Sequence, residues 1–368
     1  MTENLNRRAF LGGVVAATAA AQAAPPQRKA ASGKLNTGSI LSYNSKMEYR
    51  PLGKTGLMVS AVCMGGHWKR LGTVIPGFKG AGYNKEDDRN ILNPEFLKAR
   101  DQVLSYAMEM GINYIDACAP PEILAYSKIL KGRRNKIYFG FSWHTREPRF
   151  PEYRNAKSLL EGYEKSLMEA GLEYADLWRV TLPMEGIADF GELLRVEEAT
   201  VGAMEKARQQ GKARFTGVSS HNRIWLRSMI NQYSKQVEVV LFPYTANSKE
   251  LPTDSIFDAI REKKTGVLGI KPFADNSLFS GDSSLSSPHA AEDDRKARLA
   301  LRYILGNDAI TAPIPGLVNK HQVDNVVQAV AERRQLDRRE KAELDDAGRR
   351  MWANLRPGYE WLRNWEYV

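Results

Sequence analysis

Short apolar runs, each followed by a helix-like segment, recur eight times from Leu57 onward, and this alternation restricts the fold more than any other feature. Leu57–Met64, Ile112–Ile115, Ile137–Phe141, Ala175–Thr181, Ala213–Val218, Val237–Pro243, Gly266–Ile270 and Ala309–Ile314 read as strands. The segments between them carry helix punctuation. Asn93-Pro94 offers an N-cap followed by proline in the first turn, and the helix it opens stops at Gly111. Lys157–Ala170 is amphipathic and stops at Gly171, while Val196–Gln210 and Arg223–Tyr233 complete similar units. Eight strand–helix units predict an α/β fold, a (β/α)8 TIM barrel, and one such barrel accounts for most of the 368 residues. A doubly wound open sheet is the alternative. No G-x-G-x-x-G turn follows the first strand, which argues against a nucleotide-binding version of that sheet.

The N-terminus stands outside the alternation. Arg7-Arg8 precede a small-residue apolar stretch to Ala21, and Ala21-Gln22-Ala23 offers a cleavage site. This order predicts a twin-arginine signal peptide over 1–23, a polar linker over 24–46, the barrel over 47–335 and a C-terminal helix with an aromatic tail over 336–368. The expected destination is exported, periplasmic or extracytoplasmic, with the translocation machinery as a partner and no stable membrane anchor. Lysine and arginine exceed aspartate and glutamate by ten, and removing Arg7, Arg8 and Glu3 leaves an excess of nine. The charge is dispersed, so it fits an anionic ligand or a solvated basic surface rather than nucleic acid. Two cysteines, Cys63 and Cys118, cannot build a disulfide framework and read as free thiols.

In a barrel of this kind the chemistry sits where the strands end. Those ends place Gly65, Gly66 and His67 after the first strand, Asp116 and Cys118 after the second, and Ser142 and His144 after the third. Thr181, then Ser219, Ser220 and His221, then Tyr244, Lys271 and Ile314-Pro315-Gly316 follow on the remaining strands. The long connection over residues 69–92 and the polar loop over 275–292 are expected to shape the site. The tail carries Trp352, Tyr359, Trp361, Trp365 and Tyr367, which reads as a segment packed on the barrel or as an oligomer contact.

Several of these stretches together resemble the aldo-keto reductases. They are Arg50-Pro51-Leu52-Gly53-Lys54-Thr55-Gly56-Leu57, Gly111-Ile112-Asn113-Tyr114-Ile115-Asp116 and Gly132-Arg133-Arg134-Asn135-Lys136, then Tyr174-Ala175-Asp176-Leu177, Gly217-Val218-Ser219-Ser220, Lys271-Pro272 and Ile314-Pro315-Gly316. They appear in the family's order over roughly residues 47–330. The resemblance implies a barrel that binds NADP(H) across the strand ends and passes a hydride between nicotinamide and a carbonyl. It implies cofactor contacts at Ser219, Ser220, Tyr244, Lys271 and Gly316, with Lys320 and Gln322 toward the 2′-phosphate and adenine. Tyr244 also reads as a packed aromatic. Gly66-His67-Trp68 and Trp143-His144 each pair a histidine with an aromatic, an arrangement suited to a sugar-like or aromatic ligand.

The family's catalytic tetrad is where the chain departs. Asp116 matches its aspartate, but Pro121 falls at the tyrosine, Ser142 at the lysine and Thr181 at the histidine. Tyr126 lies too far on and reads as a packing residue. A carbonyl oxygen that gains a hydride needs a proton, and Pro, Ser and Thr do not replace a cation-tuned phenol. Two replacements are open. His67 or His144 beside Asp116 would serve as a rebuilt acid/base set. A metal held by His67, Asp116, His144 and His221 is the weaker idea, because no local ligand spacing supports it. The function expected is an aldo/keto reductase-like oxidoreductase with an altered acid/base set. The alternative is a non-redox extracytoplasmic barrel that binds a small polar or carbohydrate ligand.

Overall fold

A computed structural model describes residues 36–66, 72, 93–182, 187 and 189–368. The chain opens with a hairpin of β1 (Tyr49–Pro51) and β2 (Met58–Ser60), paired antiparallel with Tyr49 opposite Ser60. Gly53 and Gly56 in the connection take φ of 54° and 76°, the left-handed region that glycine enters without steric cost. The single strand expected over Leu57–Met64 is therefore two elements. Its first half pairs with β1, and only β3 (Met64–Gly65) enters the main sheet.

The main sheet continues through β4 (Tyr114–Ala117), β5 (Tyr138–Phe141), β6 (Ala175–Thr181), β7 (Ala213–Ser219), β8 (Val239–Pro243), β9 (Gly266–Ile270) and β10 (Ala312–Ile314). Each strand lies parallel to the next in chain order. The two edges also meet. Cys63 N donates to Pro313 O at 3.0 Å and Gly65 N to Pro315 O at 2.9 Å, closing the sheet into a (β/α)8 barrel. The helices outside are α1 (Pro94–Glu109), α2 (Pro120–Ile129), α3 (Ala156–Ala170), α4 (Phe190–Gln209), α5 (Arg223–Gln232), α6 (Ile256–Lys263), α7 (Ala290–Leu305) and α8 (Lys320–Ala331), followed by α9 (Arg338–Ala353). Asn93, Asn155, Asp189, Asn222, Ser255, Asn319 and Asp337 cap helix starts, each side chain accepting from a backbone N–H of the first turn. Asp189 explains why α4 begins several residues before the expected Val196.

Side-chain alternation along the strands separates two cores. Cys63, Tyr114, Leu177, Leu241 and Leu268 fill the barrel interior, while Ile115, Phe139, Trp178, Val240 and Phe242 pack outward under the helices. The interior depends on Gly140, because a Cβ there would stand 1.9 Å from the Tyr114 hydroxyl oxygen. Gly140→Ala is expected to lower stability by roughly 1–3 kcal/mol through overpacking. Urea denaturation measures it, and Tyr114→Leu in the same background should return part of the loss. An alanine variant as stable as the parent would show that Tyr114 is not held against Gly140.

The C-terminal tail packs on the barrel. Trp365 is 1% exposed, stacks on Phe242 with ring centroids 5.4 Å apart, and donates from Nε1 to His221 O at 3.1 Å. Val368 exchanges backbone hydrogen bonds with Lys249 and Leu251 at 2.8 Å each, and its carbonyl accepts from Ser255 Oγ at 2.8 Å. The tail is thus hydrogen-bonded into the loop after β8. Cys63 and Cys118 are not joined in a disulfide, and Cys63 is buried. No helix among the described residues is long and apolar enough to cross a membrane.

Candidate active site

A cleft of about 380 Å³ opens at the C-terminal ends of the strands. At its base Asp116, on β4, meets Arg179, on β6. Alternation puts Leu177, Arg179 and Thr181 on one face, and Leu177 belongs to the interior core, so Arg179 points into the barrel. Its guanidinium bridges the Asp116 carboxylate, with Nε to Oδ1 at 3.0 Å and Nη2 to Oδ2 at 2.7 Å. Nη1 donates to Ser142 Oγ at 3.0 Å and Thr181 Oγ1 at 3.2 Å, and Nη2 reaches Ala117 O at 3.4 Å. These contacts use all five guanidinium N–H groups. Both charged side chains are 6% exposed. Desolvation alone would push the arginine toward neutrality, but the Asp116 charge and hydrogen bond outweigh it and hold the guanidinium charged, far above its usual range.

Ser142 and Thr181, which the resemblance sets at the family's lysine and histidine positions, are the two hydroxyls that accept from Arg179. Arg179 itself stands two residues before Thr181 on β6, on a long side chain that reaches across to Asp116. Inspection of strand ends alone passes over Arg179; the signal was a charged residue at an interior-facing position of Ala175–Thr181. Glu147, also buried, steadies the same edge by accepting from Thr181 N at 2.8 Å and pairing with Arg149 at 3.2 Å.

Asp116, Cys118, Glu122, Arg149, Thr181 and Ser219 line this end of the cleft. Glu122 is buried at the start of α2, where its carboxylate accepts from Cys118 N and Ala119 N at 3.2 Å each. Gly66 must lack a side chain here, since a Cβ would lie 2.3 Å from that carboxyl group. Tyr126 is fully buried and donates to Gly65 O at 2.7 Å, a packing role. His67 lies outside the described residues. His144 is buried, with its backbone N–H on Cys118 O at 3.1 Å, and is not among the cleft-lining residues. Burial first, then Arg149, depress its imidazole below the ordinary range.

His221 does open onto the cleft. Its ring stacks on Trp361 at 3.7 Å between centroids, and the Lys271 ammonium stands 5.0 Å over Tyr359 and 5.7 Å over Trp361. One side of His221 is exposed to the cleft, but crowding by protein atoms, then Lys271 and Arg149, hold the imidazole well below its usual pKa, so it is neutral at pH 7. Lys271, Ala274, Asp275 and Asn276 all take positive φ (55°, 47°, 56° and 68°), a concentration of sparsely populated backbone at the cleft edge.

The expected cofactor contacts divide. Ser219, Lys271, Gly316 and Gln322 line the cleft. Tyr244 does not: β8 turns Leu241 inward and Phe242 outward, so Tyr244 also faces outward, edge-on to Phe257 at 5.7 Å with its hydroxyl on Asn307 at 3.3 Å. Ser220 spends its hydroxyl on Asn222 N at 3.1 Å, at the start of α5. Lys320 leaves the cleft to lie 5.1 Å over the Tyr106 ring. The backbone after Gly316 is pinned from behind, where buried Arg100 donates to Leu317 O at 2.8 Å and Val318 O at 2.6 Å. From there the cleft runs between α7 and α8, past Asp293, Asp294, His321 and Asn325. Among the described residues no three His, Cys, Asp or Glu side chains group to hold a metal ion.

Comparisons with known proteins agree with this architecture. The chain is 25% identical over 311 residues to an L-galactose dehydrogenase of Arabidopsis thaliana, covering 78% of this chain and 89% of that protein. Two solved structures of the aldo-keto reductase AKR11C1 from Bacillus halodurans, in holo and apo form, superpose with TM-scores of 0.57 and 0.55 at 21% and 22% identity. Each covers 82% of this chain and 96% of its own, and shows the shared barrel. The family model described as the aldo/keto reductase family matches residues 87–349. Given also a strand-end aspartate and a cleft running to Gly316 and the α8 N-terminus, the chain belongs to the aldo/keto reductase family.

Proposed function

We propose that this member of an oxidoreductase family binds a nicotinamide dinucleotide along the cleft and acts on a carbonyl or sugar-like substrate at the Asp116–Arg179 end. The observation that carries the reading is the continuity of one cleft from the strand ends to the α8 N-terminus. The lining suits such a ligand. Lys271 has no carboxylate within ion-pair reach among the described residues, Gly316 presents bare backbone, and Ser219 faces the strand-end pocket. The dinucleotide, when bound, supplies the hydride. The sequence reading favours NADP(H), and Arg7-Arg8 support export of a folded, loaded chain.

The chain's own residues must meet the charge that develops on the substrate oxygen. Arg179 cannot donate there, since its N–H groups are all engaged. Thr181 can. Its oxygen already accepts from the guanidinium, which turns the hydroxyl proton elsewhere and polarises it, and Thr181 lines the cleft. Neutral His221 offers a second polar group at the cleft, while His144 lies buried outside the cleft lining. Asp116 holds Arg179, and Arg179 holds Thr181. Thr181→Val, which keeps the shape and removes the donor, is expected to lower kcat by roughly 10²-fold or more, the scale of losing one oxyanion donor. Dinucleotide affinity should be unchanged. Equal turnover in Thr181→Val would reject this role, and an unchanged rate in His221→Ala would reject a part for that imidazole.

The saturated Arg179 also favours a second reading, a barrel that binds a polar or carbohydrate ligand without redox turnover. Ligand binding with no dinucleotide binding would identify it.

A further inference from the structure

Resting on the dinucleotide reading above, we infer that the cleft selects NAD(H) over NADP(H), and that Asp294 sets the preference. The two cofactors differ by one phosphate on the adenosine ribose, which carries a charge of about −1.5 to −2 at neutral pH. A protein accepts that phosphate with arginine or lysine, and discriminates for the bare diol with a carboxylate that takes a hydrogen bond from the 2′-hydroxyl.

The cations that line the cleft are unevenly placed. Arg149, Arg179 and Lys271 stand on the loop after β5, in β6 and just after β9, at the Asp116 end. Beyond Gly316, where the cleft passes between α7 and α8, no lysine or arginine lines it among the described residues. Two carboxylates do. Asp293 is spoken for, since it accepts from Ser280 N at 2.8 Å and Gly281 N at 2.7 Å and faces the Lys296 ammonium at 3.7 Å. Asp294 points across to α8, where Oδ2 lies 2.6 Å from His321 Nε2. Its side chain is 25% exposed, so it is open to a ligand as well as to the histidine.

The nearby basic side chains turn elsewhere. Lys320 lies over Tyr106 on α1. Arg298 donates to Asn325 Oδ1 at 2.5 Å and pairs with Glu332 at 3.1 Å. The α8 N-terminus is itself occupied, because Asn319 Oδ1 takes Gln322 N at 2.8 Å and Gln322 Oε1 takes Val318 N at 2.9 Å. A 2′-phosphate in this arm would face the Asp294 carboxylate with only its paired histidine for relief. A 2′-hydroxyl would find an acceptor. The resemblance implies NADP(H), with Lys320 and Gln322 toward the 2′-phosphate and adenine, but Lys320 is not among the cleft-lining residues.

The test titrates the purified full-length protein with NADH and with NADPH, reading quenching of tryptophan fluorescence. NADH should bind at least about tenfold more tightly. ADP-ribose should displace it better than 2′-phospho-ADP-ribose, a readout of the adenosine arm independent of turnover. In Asp294→Ser combined with His321→Arg, the NADPH to NADH ratio should narrow or invert, while retained NADH binding shows that the variant is folded. NADPH bound as tightly as NADH by the parent overturns the inference and leaves the dinucleotide reading standing. A ratio unmoved in a variant that still binds NADH removes Asp294 from the role. Binding of neither nucleotide overturns both readings.

Discussion

Arg179→Met is expected to destabilise the protein by about 3–5 kcal/mol, because removing one partner of a buried ion pair leaves the other charge in low dielectric. The pair is well placed to show the full effect. Asp116 and Arg179 are each 6% exposed, and their contacts run through two separate guanidinium nitrogens. The variant also leaves Ser142 and Thr181 without the donor that orients them. Combining Arg179→Met with Asp116→Leu should cost less than Arg179→Met alone, since paired charges replaced by well-packed apolar groups are often neutral in stability. Arg179→Lys keeps the charge but has three donors on one atom, so it cannot bond Asp116, Ser142, Thr181 and Ala117 together. Urea denaturation of the four proteins measures this. A double variant as unstable as Arg179→Met would mean that the cost comes from packing rather than from the stranded carboxylate.

Trp365→Ala should cost a similar amount, about 3–5 kcal/mol, the scale for truncating a buried aromatic. Trp365 is 1% exposed and holds the tail to the barrel, by stacking on Phe242 and by the hydrogen bond to His221 O. Its loss should therefore loosen the segment that carries Trp361, the ring on which His221 stacks. Trp365→Phe is expected to keep the stacking and lose only the hydrogen bond, with a cost of about 1 kcal/mol. Thermal unfolding followed by circular dichroism distinguishes the two. A Trp365→Ala protein that unfolds with the parent would show that the tail is not part of the folded unit.

Much of the barrel was legible because its punctuation is local. Asn93, Gly111 and Gly171 mark helix ends through caps and backbone freedom, and apolar runs between them have nowhere to go but a buried sheet. The first strand was misjudged because Leu57–Met64 is apolar throughout, and composition does not reveal that Met58–Ser60 turns back on Tyr49–Pro51. At the site, Asp116, Ser219, Lys271 and Gly316 line the cleft, as their positions at strand ends lead one to expect, and Gln322, expected from the resemblance, lines it from α8. Tyr244 was not, because a strand's alternation decides which side each residue faces and one residue separates inward from outward. Arg179 was missed for the complementary reason. It sits two residues inside the strand end, within reach of the cleft only because its side chain is long. Lys320 shows a third limit, since an ammonium on a flexible stem takes whichever partner is nearest, and here that is Tyr106.

Ser142 and Thr181, which the resemblance sets at the family's lysine and histidine positions, are both organised by one cation, Arg179. The result is a charged floor beneath the cleft, with the half-buried Thr181 lining it.

Isothermal titration of the purified full-length chain with NADH tests the central claim most directly, that the cleft is a dinucleotide site despite the rebuilt floor. Saturable one-to-one binding in the micromolar range, weakened by Lys271→Ala, is the predicted result. No saturable heat, from a protein whose circular dichroism shows it folded, would contradict it.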